Sequence, residues 1–146
     1  MKKVAIVTGA AGNLGKAVVK EFVENGFHVT GIVSSRTHSD FVNSSSIEMF
    51  QADLADESAI REILQRIFDK YNIIDAAILT AGGFAMGDIR KTGKQSLDKM
   101  YRINFESAYF TAREVFQKME TQPDGGRIVF IGSKPALNPG EGKHSV

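Results

Sequence analysis

Three glycines in the stretch Thr8-Gly9-Ala10-Ala11-Gly12-Asn13-Leu14-Gly15 form the pattern with the clearest chemical meaning in this sequence. Gly9 permits a tight turn, Gly12 lets the backbone approach a ligand, and Gly15 lets a following helix lie close to a sheet. The backbone N–H groups at such a helix start bind phosphate groups. A purely structural glycine-rich connection is the alternative. The position of the stretch between an apolar run and a helical pattern favours nucleotide binding.

Two side chains near the end of the second predicted strand bear on the kind of nucleotide. A nicotinamide cofactor without a 2′-phosphate meets an acidic residue about 20 residues beyond the glycines, where the carboxylate bonds the ribose hydroxyls. Ser35 and Arg36 occupy that neighbourhood, and no carboxylate stands between Val33 and Asp40. Because the two serine hydroxyls of Ser34-Ser35 and the Arg36 guanidinium suit a 2′-phosphate, we expect NADP, with NAD as the alternative. A solvated loop arginine would give the same pattern.

Two further motifs follow predicted strands, at the sheet edge where ligands bind in open α/β proteins. Asp53-Leu54 comes after the third strand, where Leu54 could cover an adenine ring and Asp53 could accept from its amino group. A helix-capping role for Asp53 is the competing interpretation. Ala81-Gly82 comes after the fourth strand, where glycine allows the backbone to approach a ribose or simply opens the turn.

Asn104 and Ser133 are the candidate catalytic side chains. Asn104 lies seven residues after Leu97 and four before Ala108, which places an amide among the apolar residues of a long helix. We therefore expect it to be buried and held by specific hydrogen bonds, or else to lie at the margin of the apolar stripe and bind water. Ser133 follows the fifth strand and reaches the same sheet edge, although a serine at a strand end is common.

The segments that must position these residues alternate between short apolar runs and helical patterns. Such alternation predicts an α/β fold with a doubly wound parallel sheet, Rossmann-like and built from βαβ units. We expect one domain over residues 1–146, with a sheet that is incomplete on its C-terminal side. The predicted strands are Val4–Thr8, His28–Val33, Glu48–Ala52, Asp75–Leu79 and Arg127–Gly132, and the predicted helices are Leu14–Asn25, a helix capped by Asp56 that reaches Tyr71, and Ser96–Met119.

Apolar spacing also predicts which helix faces are buried. In the first helix these are Leu14, Ala17, Val18 and Phe22; in the second, Ile60, Ile63, Leu64, Ile67, Phe68 and Tyr71; in the third, Leu97, Met100, Ala108, Ala112, Val115 and Met119.

Composition removes several other classes of function. Lys and Arg total 18 against 17 Asp and Glu, a net charge of +1, so the balance gives no footprint for nucleic acid or an anionic membrane. The chain has no cysteine, which excludes disulfides and thiolate metal sites, and its 3 histidines are scattered, so we expect no metal. The N-terminal apolar run is too short for a secretory signal, and we expect a cytoplasmic protein.

Taken together, these motifs resemble the short-chain dehydrogenase/reductase family over essentially the whole chain. The glycine spacing is nearer to the extended, epimerase-like branch, since the simple reductases place the second glycine where Asn13 stands. Leu79 and Thr80 replace the asparagines that usually precede Ala-Gly. The spacing of the other motifs favours the simple reductases. The features that carry the resemblance are Thr8-Gly9 with its spaced glycines, Asp53-Leu54, Ala81-Gly82, Asn104 in the long helix and Ser133 after Ile128–Gly132.

The resemblance implies hydride transfer between a nicotinamide cofactor and a small-molecule carbonyl or alcohol. A tyrosine would act as general acid/base with its pKa lowered by a lysine four residues later. Ser133 would hydrogen-bond the substrate oxygen, and Asn104 would hold a helix kink and a proton-relay water. No tyrosine follows Ser133, so we expect the chain to stop before this Tyr-x-x-x-Lys pair. The near match Tyr109–Arg113 precedes Ser133, and we interpret Tyr109 as packing or surface, because arginine is a different partner from lysine.

Several alternatives stay open at the level of sequence. The leading interpretation is the front portion of an active reductase. The others are a non-catalytic NADP(H)-binding or sensing module, an interaction protein, and an extended-branch enzyme acting on nucleotide sugars. A full-length chain would be expected to form a homo-oligomer. The apolar contributors to a substrate pocket would be Phe84, Met86 and Ala136-Leu137.

Overall fold

Five parallel strands form one sheet in the computed structural model, which describes residues 2–34 and 43–138. The strand order is β3-β2-β1-β4-β5, which confirms the doubly wound α/β prediction. The elements are β1 (Val4–Thr8), α1 (Asn13–Glu24), β2 (His28–Val33), β3 (Ile47–Gln51), α2 (Glu57–Tyr71), β4 (Ala76–Leu79), α3 (Lys94–Tyr101), a π-helical segment (Arg102–Glu106), α4 (Ser107–Met119), β5 (Arg127–Phe130) and a single turn, α5 (Lys134–Leu137).

The central strand β1 is buried on both faces, because helices cover the sheet on each side. All five of its residues are buried. Val4 and Ile6 belong to the core under α2 and α4, whereas Ala5 and Val7 belong to the core under α1. A strand buried on both faces reads as a continuous apolar run, which is how β1 appears in the sequence.

Helix α2 matches its sequence prediction closely. The Asp56 carboxylate caps it by accepting hydrogen bonds from the backbone N–H of Ser58 at 3.0 Å and of Ala59 at 3.2 Å. Hydrogen bonds from the Ser58 hydroxyl and the Ala59 N–H hold the pKa of Asp56 below its usual value. The predicted face is buried, with Tyr71 half-buried at its end.

Helix α1 is present, but its predicted face is partly wrong. Leu14 is 49% exposed and Ala17 is exposed, whereas the buried residues are Gly15 and Val19. The cause is Gly15: a Cβ atom there would overlap the carbonyl oxygen of Gly9. This close approach brings the Gly15 side of the helix onto the sheet and turns Leu14 outward.

The long helix begins at Lys94 and is interrupted, which corrects a second predicted face. Leu97 is 54% exposed, while the buried residues are Met100 before the interruption and Ser107, Thr111, Val115 and Met119 after it. The π-helical segment between the two parts widens the turn by one residue, so apolar spacing on one side does not continue on the other. The two buried hydroxyls bond to backbone carbonyls one turn earlier.

None of the helices in residues 2–34 and 43–138 combines the length and apolar composition that a bilayer crossing requires.

Candidate functional site

The turn between β1 and α1 packs directly against the end of β4. Gly9 has a φ of +64°, in the left-handed region that favours glycine. A Cβ atom on Gly9 would lie 2.8 Å from the Cα of Ala81, so a side chain there would push the two strand ends apart. The glycine turn therefore holds the ends of two neighbouring strands together at the carboxyl edge of the sheet.

Two threonines join the same strand ends. The Thr80 hydroxyl donates to the backbone carbonyl of Thr8 at 2.6 Å, and the Thr8 hydroxyl accepts from the backbone N–H of Ala81 at 3.2 Å. Sequence reasoning noted Thr80 only as a departure from the pattern that the sequence resembles. Its hydroxyl bonds the Thr8 carbonyl across the strands, and the Thr8 hydroxyl in turn holds the backbone N–H of Ala81.

The start of α1 suits an anion. Gly12 is the residue before the first helical turn, and it has an extended conformation with a φ of −73° and a ψ of 167°. No side chain among the described residues caps this helix, and its first turn, which contains Asn13 and Leu14, carries no acidic residue. Uncapped N–H groups and the positive end of the helix dipole are the features by which helix starts bind phosphate.

Asn104 lies in the π-helical segment and binds the loop after β4. Its Oδ1 accepts from the Gly83 N–H at 2.8 Å, and its Nδ2 donates to the Gly83 carbonyl at 3.1 Å. A Cβ atom on the adjacent Gly82 would lie 2.9 Å from Oδ1. The side chain is held by specific hydrogen bonds, but the expectation that it is buried is wrong, because the wider π turn places Asn104 at the exposed margin of the helix.

Asp53 does not cap α2, since Asp56 does so. Its Oδ1 accepts from the Ala55 N–H at 3.0 Å, and its Oδ2 lies 4.0 Å from Nη2 of Arg102. The neighbouring Leu54 packs against the core under α2 and α4. One carboxylate oxygen of Asp53 is therefore fixed by the backbone while the other points toward the π-helical segment.

A cleft of about 680 Å³ lies along the carboxyl edge of the sheet between these groups. Two other predicted residues do not line the cleft: Thr8 is the last residue of β1, and Gly15 lies on the buried face of α1. Ser35 and Arg36, which the sequence analysis assigned to a 2′-phosphate, lie outside the described residues. The predicted residues that line the cleft are Gly9, Gly12, Asp53, Leu54, Ala81 and Gly82.

Sequence reasoning missed the wall of the cleft that α3 and the π-helical segment provide. Asp98, Lys99, Arg102 and Ile103 line it from that side. The spacing of Lys99 and Arg102, three residues apart, places both cations on one helix face and would have been the signal. Within the described residues, no group of three His, Asp or Glu side chains is arranged to hold a metal ion.

The residues expected to contact a substrate are not gathered in this cleft. Ser133 is exposed and precedes α5 without capping it, and it is absent from the cleft lining. Phe84, Met86 and Leu137 are exposed as well. The structure thus brings together the predicted residues of the glycine turn, Asp53-Leu54 and Ala81-Gly82, and leaves Ser133 exposed after β5.

Tyr109 lies at a second, apolar groove of about 450 Å³ between α4 and β5. Arg113, four residues after Tyr109, stands where a Tyr-x-x-x-Lys pair would have its lysine. Its guanidinium donates to Glu57 at 2.7 Å and to Glu114 at 2.8 Å. Hydrogen bonds to Glu114 and Glu57 raise the pKa of Arg113 above its already high ordinary value. Arg113 therefore stays charged and paired with carboxylates, and Tyr109 has no proton-transfer partner in it.

Comparison with known proteins finds similar sequences and structures over nearly the whole chain. Residues 3–145 match the sequence model of the short chain dehydrogenase family. Versicolorin reductase stcU of Emericella nidulans is 27% identical over 151 residues, which cover 99% of this chain and 56% of that protein. The 2,3-dihydro-2,3-dihydroxybenzoate dehydrogenase of Bacillus subtilis is 29% identical over 143 residues, or 94% of this chain and 54% of that protein.

A solved structure described as ElxO with NADP bound superposes with a TM-score of 0.83 at 29% identity. The superposition covers 94% of this chain and 58% of ElxO. The chain thus spans little more than half the length of the relatives it matches.

Proposed function

The chain belongs to the short chain dehydrogenase family, and from that premise we propose that it is the nucleotide-binding part of an oxidoreductase that uses NADP(H), with NAD(H) as the alternative cofactor. The observation that carries this proposal is the cleft at the uncapped start of α1, bounded by Gly9 and Gly12 on one side and Asp53 on the other. The relative ElxO, whose structure contains NADP, supports the choice of cofactor, as does the sequence pair Ser35-Arg36.

Each part of the cleft has a distinct task in binding the dinucleotide. The N–H groups at the start of α1 bind the pyrophosphate. Ala81 and Gly82 offer backbone to a ribose, and the reciprocal hydrogen bonds between Asn104 and Gly83 hold that backbone in place. Asp53 accepts from the adenine amino group. A bound nicotinamide supplies or accepts the hydride, and Ser133 would hydrogen-bond the oxygen of a carbonyl or alcohol substrate.

A charge placed at the helix start tests the pyrophosphate assignment. Gly12→Asp should weaken NADPH binding by about tenfold or more, because a carboxylate repels the pyrophosphate. Aspartate is also a good helix cap, but its Cβ atom would lie 3.3 Å from the Gly9 carbonyl oxygen, so the two effects oppose each other and the melting temperature should change little. Equilibrium titration of the 146-residue chain with NADPH and NADH measures the binding.

The matched control is Gly93→Asp. Gly93 precedes α3 in the same extended conformation, with open space where a Cβ atom would lie, and it is absent from the cleft lining. This variant should bind NADPH as the wild type does. Equal weakening in both variants, or no NADPH binding by the wild-type chain, would overturn the proposal.

A non-catalytic binding module is the second candidate, because Ser133 lies apart from the cleft lining. Turnover separates the two. We propose that the 146-residue chain binds NADPH without oxidising it, and that a longer chain carrying a Tyr-x-x-x-Lys segment oxidises it with carbonyl substrates. Binding without turnover by the longer chain as well would favour the module.

A further inference from the structure

We propose that Arg102, together with Asp53, reads the edge of the adenine base and so selects the adenine nucleotide. The proposal rests on the proposed function, since it assigns a further residue to the same cleft. Arg102 is the first residue of the π-helical segment and lines the cleft together with Asp53, which stands two strands away from the glycine turn.

Each of the two side chains has one polar neighbour of its own and approaches the other at the wall of the cleft. The Asp53 Oδ1 is occupied by the Ala55 N–H at 3.0 Å, and the Arg102 Nε lies 3.6 Å from Oε2 of Glu106. Their other ends, Oδ2 of Asp53 and Nη2 of Arg102, are 4.0 Å apart. That separation is too long for a hydrogen bond, so both the acceptor and the donor remain available to a third group.

A group that fits such a pair must present a donor beside an acceptor. The adenine edge does so, since its amino group donates and the adjacent ring nitrogen N1 accepts. The amino group would donate to the Asp53 carboxylate, and the guanidinium of Arg102 would donate to N1. Hydrogen bonds that involve a charged partner are the stronger class, so losing one should be measurable in the affinity.

The position along the cleft favours the base over the phosphates. The pyrophosphate belongs at the start of α1, beside Gly9 and Gly12, and the nucleotide extends from there along the carboxyl edge of the sheet toward β3. Asp53 follows β3, and the apolar residues Ala52 and Leu54 line the same end of the cleft. Mostly apolar lining with a few placed polar groups is the pattern of small-ligand pockets, and here it suits a flat base with a polar edge.

Three nucleotides distinguish this assignment from its competitors: NADP+, NAD+ and 1,N6-etheno-NADP+, in which the amino group and N1 are bridged by carbon. Wild type should bind the etheno analogue about tenfold more weakly than NADP+. Arg102→Gln, which is shorter and uncharged, should weaken NADP+ binding by a smaller factor, because the bond from the adenine amino group to Asp53 remains, and should change binding of the etheno analogue little. The preference for NADP+ over the analogue should therefore become several-fold smaller.

Lys99→Gln is the matched control, because it removes a cation from the same cleft wall three residues earlier. It should weaken NADP+ and the etheno analogue equally and keep the preference. A preference unchanged in Arg102→Gln overturns the inference. A selective loss of NADP+ relative to NAD+ in that variant also overturns it, since Arg102 would then bind the 2′-phosphate. Failure of the wild-type chain to bind NADP+ would instead contradict the proposed function.

Discussion

The two edge strands of the sheet, β3 and β5, differ sharply although both are parallel and largely apolar in sequence. At β3, Glu48 accepts hydrogen bonds from Lys70 at 2.8 Å and from the Tyr71 hydroxyl at 2.7 Å, and Phe50 is buried. At β5, Phe130 is 60% exposed, and the flanking residues Val129 and Ile131 are about half exposed. One edge ends in charged, paired side chains, and the other presents apolar side chains to solvent.

This difference teaches that an apolar run specifies a strand but not its burial, which depends on what packs against it. A charged edge resists pairing with further strands, whereas an apolar edge invites it. The cleft at the carboxyl edge of the sheet runs from the ends of β1 and β4 toward the charged β3 edge. Ser133 follows the exposed β5 edge, where the groove beside α4 is apolar.

One phenylalanine-to-alanine substitution in each edge strand should give the largest difference in stability. Phe50→Ala in β3 should lower the free energy of unfolding by about 3–5 kcal/mol, because it leaves a cavity in the core. Phe130→Ala in β5 should change it by less than about 0.5 kcal/mol, because that side chain is exposed. Urea unfolding followed by circular dichroism measures both.

Equal losses in these two variants would contradict the description of β5 as an open edge, since they would mean that Phe130 is buried in solution.

A second pair of substitutions compares Gly15, in the helix that follows β1, with Gly132, which follows β5. Gly15→Ala should cost about 1–3 kcal/mol of unfolding free energy by overpacking α1 against the glycine turn, and it should weaken NADPH binding as well. Gly132→Ala, where a Cβ atom meets only open space, should change neither. Thermal melts and NADPH titration provide the readouts; a Gly132→Ala variant as impaired as Gly15→Ala would show that the β5 side is packed too.

The charged side chains of the β3 edge should give the stability of the protein a small pH dependence. Burial opposes the charge on Glu48, but hydrogen bonds from Lys70 and Tyr71 outweigh it, so the pKa of Glu48 lies below its usual value. A lowered pKa contributes stability that is present above the ordinary value and is lost as the pH falls through the folded value.

Glu48→Gln should therefore flatten the decline of the unfolding free energy, measured by urea unfolding between neutral and acid pH, by less than about 1 kcal/mol. Exposed Glu120→Gln is the control and should keep the wild-type decline. A Glu48→Gln profile parallel to that of wild type would show that the ionised Glu48 carboxylate does not stabilise the β3 edge.

The sequence predicted the strands, their order of appearance and the glycine turn after β1, because those rest on local apolar runs and on glycines. It placed Leu14 and Leu97 in the core wrongly, since neither the close approach at Gly15 nor the π turn leaves a trace in apolar spacing. Asn104 was expected to be buried for the same reason. The hydrogen bond between Thr80 and Thr8 and the approach of Arg102 to Asp53 join residues distant in the chain, and no local pattern reveals them.

The π-helical segment has a consequence for how this region can vary. Removing one residue from Arg102–Glu106 would convert the wide turn into an ordinary α-helical turn, in which one residue fewer spans about the same rotation. Ser107, Thr111 and Val115 would keep their places in the core, whereas the residues of the segment itself would face new directions, and Asn104 would lose its alignment with Gly83. The extra residue is therefore an insertion that the helix absorbs locally: the segment can change what it presents to the cleft while the core beyond it stays the same.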